Sequence, residues 1–381
     1  MTGRRLGIGV VGCGNVSKRY FLNAALFPGV ELRACADQVP AAAAARAAEF
    51  GIRALAPDAL LAADDIDLVL NLTVPNAHFD ISMAALTAGK HVFTEKPLAA
   101  TAAQGRRLVA EAEARGLAIG SAPDTFLGAA GRLARRLVDE GRIGRPVGGT
   151  AFMMTRGMEH WHPDPRFFYQ PGGGPVLDMG PYYLTMLVNL LGPADRVMAM
   201  ATTGSAERVI TGPGELTGTA FPVATPTHVT ALVEFANQAL VTLVLSWDVF
   251  RHGNHPIELH GTGGSLRLPD PDTFGGVVAL SDAGGAWQDI ATDALPFGRP
   301  NVPIASPDHA NYRMLGLADL AASITGGGRA RASGQLALHV LEILEAILTA
   351  AASGTPTRLE ARDVRPTPLS EAEAVALAAP R

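Results

Sequence analysis

The chain has 381 residues, 48% hydrophobic and 18% charged, with a formal net charge of −5. That length allows two domains and a sizeable core, and the balance offers no basic patch for nucleic acid and no apolar run read as long enough to cross a bilayer. Its two cysteines, Cys13 and Cys35, suggest no disulfide framework, so a reducing cytoplasm is the expected location.

Arg4-Arg5 precedes an apolar run, but with a strand expected from about Leu6 no removable leader is expected ahead of the fold. Residues 6–11 alternate glycine with aliphatic side chains and run into Gly12-Cys13-Gly14-Asn15-Val16-Ser17. An apolar strand ending in a glycine turn that opens a helix is a dinucleotide-binding arrangement. Gly12 permits the tight turn, Gly14 lets backbone N–H groups approach a pyrophosphate, and the positive end of the helix dipole faces the phosphates. Ser17 replaces the third glycine, whose main role is close packing of helix on strand.

A second strand over 31–36 ends at Asp37, 20 residues after Ser17. A carboxylate there accepts hydrogen bonds from ribose hydroxyls and repels a 2′-phosphate. With Gln38 following instead of arginine, this favours NAD over NADP. The same aspartate before Gln-Val-Pro also suits a turn or helix cap. An alanine-rich helix over 40–50 closes at Gly51. Next come a strand over 67–72 ending in Thr73-Val74-Pro75-Asn76, a helix over 79–88, and a strand over 91–94 running into Glu95-Lys96-Pro97. A helix over 101–115 and a last strand over 117–121 complete a parallel, doubly wound sheet.

After residue 122 the character changes. Residues 126–141 contain a helix, and strand-like runs occupy 147–155, 196–203, 228–235, 239–247 and 257–260. Segments 204–226 and 292–307, rich in Gly, Pro, Ser and Thr, read as loops, and 316–324 and 335–351 as helices. The expected class is α/β: a dinucleotide-binding domain over 1–122, then an α+β domain over 123–381 with a large, mostly antiparallel open sheet and helices on one side.

Only three of the 31 basic residues are lysines: Lys18, Lys90 and Lys96. In such a chain a lysine marks a place that needs a compact amine able to shift its pKa. Lys96 stands at a strand's C-terminal end, where open α/β sheets bind ligands. Its ammonium can hydrogen-bond an alcohol oxygen and stabilise the alkoxide that develops as hydride leaves. The plainer reading is a lysine exposed after a strand.

Four motifs occur in order: Gly12-Cys13-Gly14-Asn15, Thr73-Val74-Pro75-Asn76-Ala77-His78, Glu95-Lys96-Pro97, and Gly172-Gly173-Gly174 followed by Pro175-Val176-Leu177-Asp178-Met179-Gly180. Together they resemble the glucose–fructose oxidoreductase / inositol dehydrogenase (Gfo/Idh/MocA) family over nearly the whole chain. The resemblance implies an N-terminal nicotinamide-binding Rossmann domain and a C-terminal sheet that builds an oligomer interface, a homodimer or homotetramer. It implies that Gly12, Gly14, Asn15, Val16 and Asp37 bind the cofactor. Thr73, Pro75, Asn76 and His78 would then line its nicotinamide half, and Glu95 and Lys96 would sit where nicotinamide meets substrate.

Many family members place Asp and His four residues apart on the helix after the glycine run. Here Asp178 is followed by Tyr182, a tyrosine that the dimeric dihydrodiol dehydrogenases of the family also use. Four residues apart on a helix is one face. The expected arrangement has Tyr182 relaying the hydroxyl proton, its pKa lowered by Lys96 and the nicotinamide cation and opposed by Asp178 unless that carboxylate pairs with the lysine. Lys96 alone as the acid/base, or Tyr182 only stacking on the substrate, are the alternatives.

His160, His162 and Asp164 alternate as strand ligands of a metal would, but Pro163 and Pro165 point to a loop. No metal is expected. The patch reads better as a substrate-cleft loop, with Trp161 as an apolar platform and His162 as a polar contact. The expected function is an NAD(P)-dependent oxidoreductase of a secondary alcohol on a sugar- or polyol-like small molecule, with neither nucleic acid nor membrane as partner. The other readings are a trans-dihydrodiol or imine dehydrogenase on the same fold, or a non-catalytic nicotinamide sensor.

Overall fold

A computed structural model describes residues 5–301, 309–360 and 362–378. Arg4 and residues 302–307 of the second expected loop lie outside the described residues. The N-terminal sheet contains β1 (Leu6–Val11), β2 (Val30–Ala36), β3 (Arg53–Ala54), β4 (Leu68–Asn71), β5 (His91–Thr94) and β6 (Ile119–Ser121). They lie in the order β3-β2-β1-β4-β5-β6, every pairing parallel. The crossovers are α1 (Ser17–Ala24), α2 (Pro40–Phe50), α3 (Pro57–Ala62), α4 (Pro75–Thr87) and α5 (Ala102–Arg115). All residues of β1 and β4 are buried, as strands covered on both faces by helices must be. The α2 helix ends on Gly51 at φ 67°, a left-handed cap. Thr101 caps α5, its side chain accepting from Gln104 N–H. In this sheet two elements go beyond the expectation, β3 and α3, because a two-residue edge strand and a six-residue helix carry too little periodicity.

The second sheet is larger. Its region begins with α6 (Ala129–Asp139), β7 (Pro146–Met154), α7 (Gly174–Leu191) and β8 (Ala194–Thr202). The expected loop over 204–226 instead holds β9 (Glu207–Val209) and β10 (Ala220–Pro222), paired as a small antiparallel sheet. Then follow β11 (His228–Phe235), β12 (Leu240–Ser246), β13 (Ile257–Gly261), β14 (Gly264–Leu268), β15 (Val277–Asp282) and β16 (Gln288–Ala291). The chain ends with α8 (Leu315–Gly326), α9 (Gly334–Ser353), β17 (Thr357–Arg358) and α10 (Glu371–Leu377). Nine strands order as β16-β15-β14-β13-β7-β12-β11-β8-β17; the β7–β12 pair is parallel and the rest antiparallel. The inner face buries Ala151, Val197, Val233, Leu243 and Leu259 beneath the helices, while Met198, Met200 and Leu232 alternate outward and stand exposed.

Helix α9 ties the two sheets together. Leu338 and Leu341 enter a cluster on one face of the first sheet, and Leu336, Val340 and Ile343 enter a larger cluster that runs from the first sheet's other face into the second sheet. Ser333 bridges to Gly120 at the edge of β6. By length and composition α9 could span a bilayer, which corrects the expectation that no run is apolar enough. Glu342 and Glu345 interrupt the run in sequence, but here Glu342 pairs with Arg106 and Arg362 and Glu345 accepts from Ala102 N–H. Twelve of the helix's 20 residues are buried inside the fold.

Candidate active site

The glycine turn is fixed by β1 and β2. Gly12 adopts φ 103° and donates to the Ala36 carbonyl at 2.9 Å. Gly14 and Asn15 are exposed and Val16 is half-buried. A Cβ built on Gly14 would meet nothing within 4 Å, so open space lies over this backbone at the N-terminal end of α1. That is the cradle a pyrophosphate needs, and the residues present fit a dinucleotide. Both oxygens of Asp37 are in use: Oδ2 accepts from Cys13 N–H and Oδ1 from Val39 N–H, each at 2.8 Å. The turn-capping and ribose-binding readings therefore coexist, since a carboxylate offers about four acceptor sites. Arginine is absent next to Asp37 in sequence, yet the fold brings Arg46 of α2 back to the Gly14 carbonyl at 3.5 Å, where Glu49 pairs with it at 2.6 Å.

At the end of β4, buried Asn71 organises the next turn. Its amide donates to the His78 carbonyl and Ser82 Oγ, and its Oδ1 accepts from Thr73 N–H and Oγ1. Pro75 and Asn76 stand exposed on that turn and Thr73 half-exposed. His78, expected to line the cofactor, is fully buried. Its Nδ1 faces the Pro97 carbonyl at 2.7 Å and its Nε2 the Thr73 carbonyl at 3.0 Å. Burial pushes its pKa down, against the pull of those carbonyls. His78 therefore clamps two loops together from beneath.

The β5 strand delivers Glu95 and Lys96, and the Lys96–Pro97 peptide is cis. Glu95 is held by Tyr20, whose hydroxyl donates to Oε1 at 2.7 Å, and by the Lys96 N–H, which donates to Oε2 at 3.0 Å. The Lys96 ammonium donates to the Asp178 carboxylate at 2.8 Å and to the Asp178 carbonyl at 2.6 Å. Pro181, inside α7, has no N–H for the carbonyl four residues back, which loosens the first turns of the helix where Lys96 binds. Burial alone would lower the Lys96 pKa, but Asp178, Tyr182 and Glu95 outweigh it and hold it above the ordinary value. Its Nζ lies 5.3 Å from the centre of the Tyr182 ring.

Tyr182 differs from expectation. Burial, followed by the negative charge of Asp272, pushes its pKa up, and Lys96 and Arg313 only partly offset this. At neutral pH the residue is a phenol able to donate a proton, rather than a ready base. Its hydroxyl accepts from Arg313 Nη2 at 3.3 Å, and the same nitrogen donates to Asp272 Oδ1 at 2.6 Å. Arg313, Asp272, Tyr20 and Asn71 were not singled out in the sequence. The signal available was a polar residue inside an apolar run, as for Asn71 in DLVLNL.

Trp161 and His162 form a separate group. Ring contacts join His162 to Trp161, Phe167 and Phe168. Among the described residues, no hydrogen bond or ring contact links either residue to Lys96, Asp178 or Tyr182. Glu159 accepts from Arg208 at 2.6 Å and from the Tyr169 hydroxyl, anchoring the loop beside β9. His162 Nδ1 accepts from Asp164 N–H, and among the described residues no three metal-binding side chains converge.

Asp124 lies behind the site. Burial raises its pKa to about 6, while its Oδ2 accepts from Gly316 N–H at 2.8 Å and Met314 N–H at 3.3 Å. The folded protein holds this proton more tightly than the unfolded chain does. The contribution therefore favours folding at low pH and is lost as pH rises from about 4 to about 6, by about 3 kcal/mol. Asp124→Asn keeps an acceptor and removes the titration. Denaturant unfolding across that window should show wild type losing stability relative to the variant, and parallel curves would rule the titration out.

A glycine-loop parallel sheet whose C-terminal edge carries a paired lysine is the arrangement of a dinucleotide-binding protein. Residues 6–122 match the family described as an oxidoreductase family with an NAD-binding Rossmann fold, and residues 132–267 match the GFO/IDH/MocA C-terminal domain. The chain belongs to the Gfo/Idh/MocA family of NAD-binding oxidoreductases. It is 27% identical over 361 residues to 1,5-anhydro-D-fructose reductase of Ensifer adhaerens, covering 92% of this chain and 98% of that one. It is 28% identical to levoglucosan dehydrogenase of Pseudarthrobacter phenanthrenivorans over 69% of this chain and 73% of the other. A solved levoglucosan dehydrogenase in complex with NADH and L-sorbose superposes with a TM-score of 0.80 at 23% identity, covering 94% and 99% of the two chains. At that identity the likeness speaks for the fold.

Proposed function

We propose that this protein is an NAD(P)-dependent dehydrogenase that moves a hydride between nicotinamide and a secondary alcohol or ketone of a sugar, polyol or related ring. The observation that carries the reading is the Lys96–Asp178 pair at the C-terminal end of β5. The bound nicotinamide supplies or takes up the hydride. Gly12, Gly14, Asn15, Val16 and Asp37 hold the dinucleotide's phosphates and ribose. Thr73, Pro75, Asn76 and Glu95 flank its nicotinamide end, with His78 supporting them. Lys96 donates to the substrate oxygen, Asp178 orients the lysine, and Tyr182 exchanges the hydroxyl proton with that oxygen. Trp161 and His162 form the outer wall of the substrate side.

Each cation of the site is answered by an acid, Lys96 by Asp178 and Arg313 by Asp272. This suits a neutral, hydroxyl-rich substrate better than an anion. The names of the relatives, 1,5-anhydro-D-fructose reductase and levoglucosan dehydrogenase, support a sugar. The proposed division is 1–122 for the cofactor domain and 123–381 for the substrate domain. The exposed Met198, Met200 and Leu232 on the outer sheet face suit a homodimer or homotetramer built on that face. The free thiols of Cys13 and Cys35 suit a reducing cytoplasm.

The test is a panel of sugars and polyols assayed with NAD and NADP at the absorbance of the reduced nicotinamide. Turnover of none of them with either cofactor would refute the reading. NADH is expected to bind roughly 10-fold or more tightly than NADPH, because the Asp37 carboxylate repels a 2′-phosphate. Asp37→Ser should narrow that gap. Fluorescence titration of both cofactors measures it, and NADPH binding as tightly as NADH would overturn the preference.

A further inference from the structure

Arg313 is a buried charged residue that the family motifs do not cover. It precedes α8, and its backbone is clamped on both sides. The Asn23 amide donates to the carbonyls of Asn311 at 2.9 Å and Arg313 at 3.0 Å, while Asp124 takes the N–H groups of Met314 and Gly316. Met314 sits at φ 113°, a region that is unfavourable for a non-glycine residue and persists only where surroundings over-determine it. The clamps supply that determination, and the segment they hold aims one guanidinium into the cleft.

Arg313 is 8% exposed, and its Nη2 bridges Asp272 and the Tyr182 hydroxyl. An arginine can only donate, so the phenol oxygen accepts from it, and the phenol's own proton points elsewhere. Among the described residues no acceptor takes that proton. Asp272, on the connection from β14 to β15, fixes the arginine from the far side. Three distant stretches of chain thus converge on one hydroxyl.

We propose that Arg313 is a positioning residue that orients the Tyr182 hydroxyl towards the substrate oxygen and stabilises the phenolate left when Tyr182 gives up its proton. The inference rests on the dehydrogenase reading and deepens it. In the reductive direction, hydride adds to the carbonyl carbon and the carbonyl π pair moves onto oxygen. That oxygen takes the proton from Tyr182 Oη, and the electron pair of the broken O–H bond stays on the phenolate. Arg313 Nη2 and the Lys96 ammonium compensate the new charge, and water returns the proton. Oxidation runs the same steps in reverse.

The experiment is a double-mutant cycle. Arg313→Met should lower kcat roughly 10- to 100-fold with NADH affinity within about 2-fold, and Arg313→Lys, which keeps a cation, should recover part of the loss. In a Tyr182→Phe background the further loss should fall to about 2-fold or less, since the hydroxyl through which Arg313 acts is gone. Asp272→Asn frees the guanidinium without removing it and should repeat the pattern at smaller size, which covers the case of an Arg313→Met protein that does not fold. A purely structural role predicts losses that multiply in the Tyr182→Phe background. That result, or an unchanged kcat in Arg313→Met, overturns the proposal.

A second measurement is independent of turnover. With 13Cζ-tyrosine labelling, the protein's five tyrosines give five signals, and the one lost in Tyr182→Phe belongs to Tyr182. Asp272→Asn and Arg313→Lys should shift that signal and leave that of Tyr169 in place. A Tyr182 signal that stays put refutes the contact and the proposal with it. Wild type that turns over no sugar or polyol while the signal does shift overturns the dehydrogenase reading instead.

Discussion

Replacing Lys96 with methionine is expected to cut turnover roughly 100- to 1,000-fold while NADH affinity stays within a few-fold. The ammonium is the only cation that β5 delivers to the cleft, and it acts on charge that exists mainly in the transition state. Methionine keeps the length and apolar stem of the side chain and deletes the donor. It also strands the Asp178 carboxylate, whose side chain is only 19% exposed, and a half-buried acid without its cation disturbs its surroundings. Lys96→Met combined with Asp178→Asn removes that complication. If the donor is what matters, the double variant is as slow as the single one. Near-normal turnover in either, with the cofactor bound, would move the chemistry away from Lys96.

The second large effect separates two neighbouring glycines. A Cβ on Gly12 would lie 2.6 Å from both the carbonyl carbon and oxygen of Leu72 and 2.8 Å from Thr73 N, all backbone atoms that cannot swing aside. The φ of 103° is itself hostile to alanine. Gly12→Ala should therefore cost stability, of order 2–4 kcal/mol, and displace the turn that holds Asp37 through Cys13 N–H. Gly14 shows the opposite geometry, with open space where its Cβ would go. Gly14→Ala should leave the melting temperature within about 2 °C of wild type and weaken NADH roughly 10-fold or more, because the methyl group occupies the approach of the pyrophosphate. Thermal unfolding and cofactor titration of the two variants read both effects. A Gly14→Ala protein with unchanged NADH affinity would place the phosphates elsewhere.

Local sequence was sufficient wherever one short stretch decides its own structure. The run from Leu6 to Val11 must be a strand covered on both faces, and the glycines after it must turn. Asp37, at the tip of the next strand, then comes to that turn because parallel pairing with β1 leaves it no other place. The helix over Pro40–Phe50, its Gly51 cap, and the position of Lys96 at the end of β5 follow by the same logic. The residues from Gly264 to Ala291 were illegible because GSLRL, VVALSD and QDIA alternate weakly and owe their strand form to neighbours in the sheet. Tertiary structure alone decided how the charges combine. Lys96 meets Asp178 across 82 positions and Tyr182 meets Arg313 across 131, and no local pattern encodes a partner at that distance. It also reversed the expected effect on Tyr182, whose protonation depends less on the nearby ammonium than on burial, which exists only once β5, α7 and the segment before α8 have closed around it.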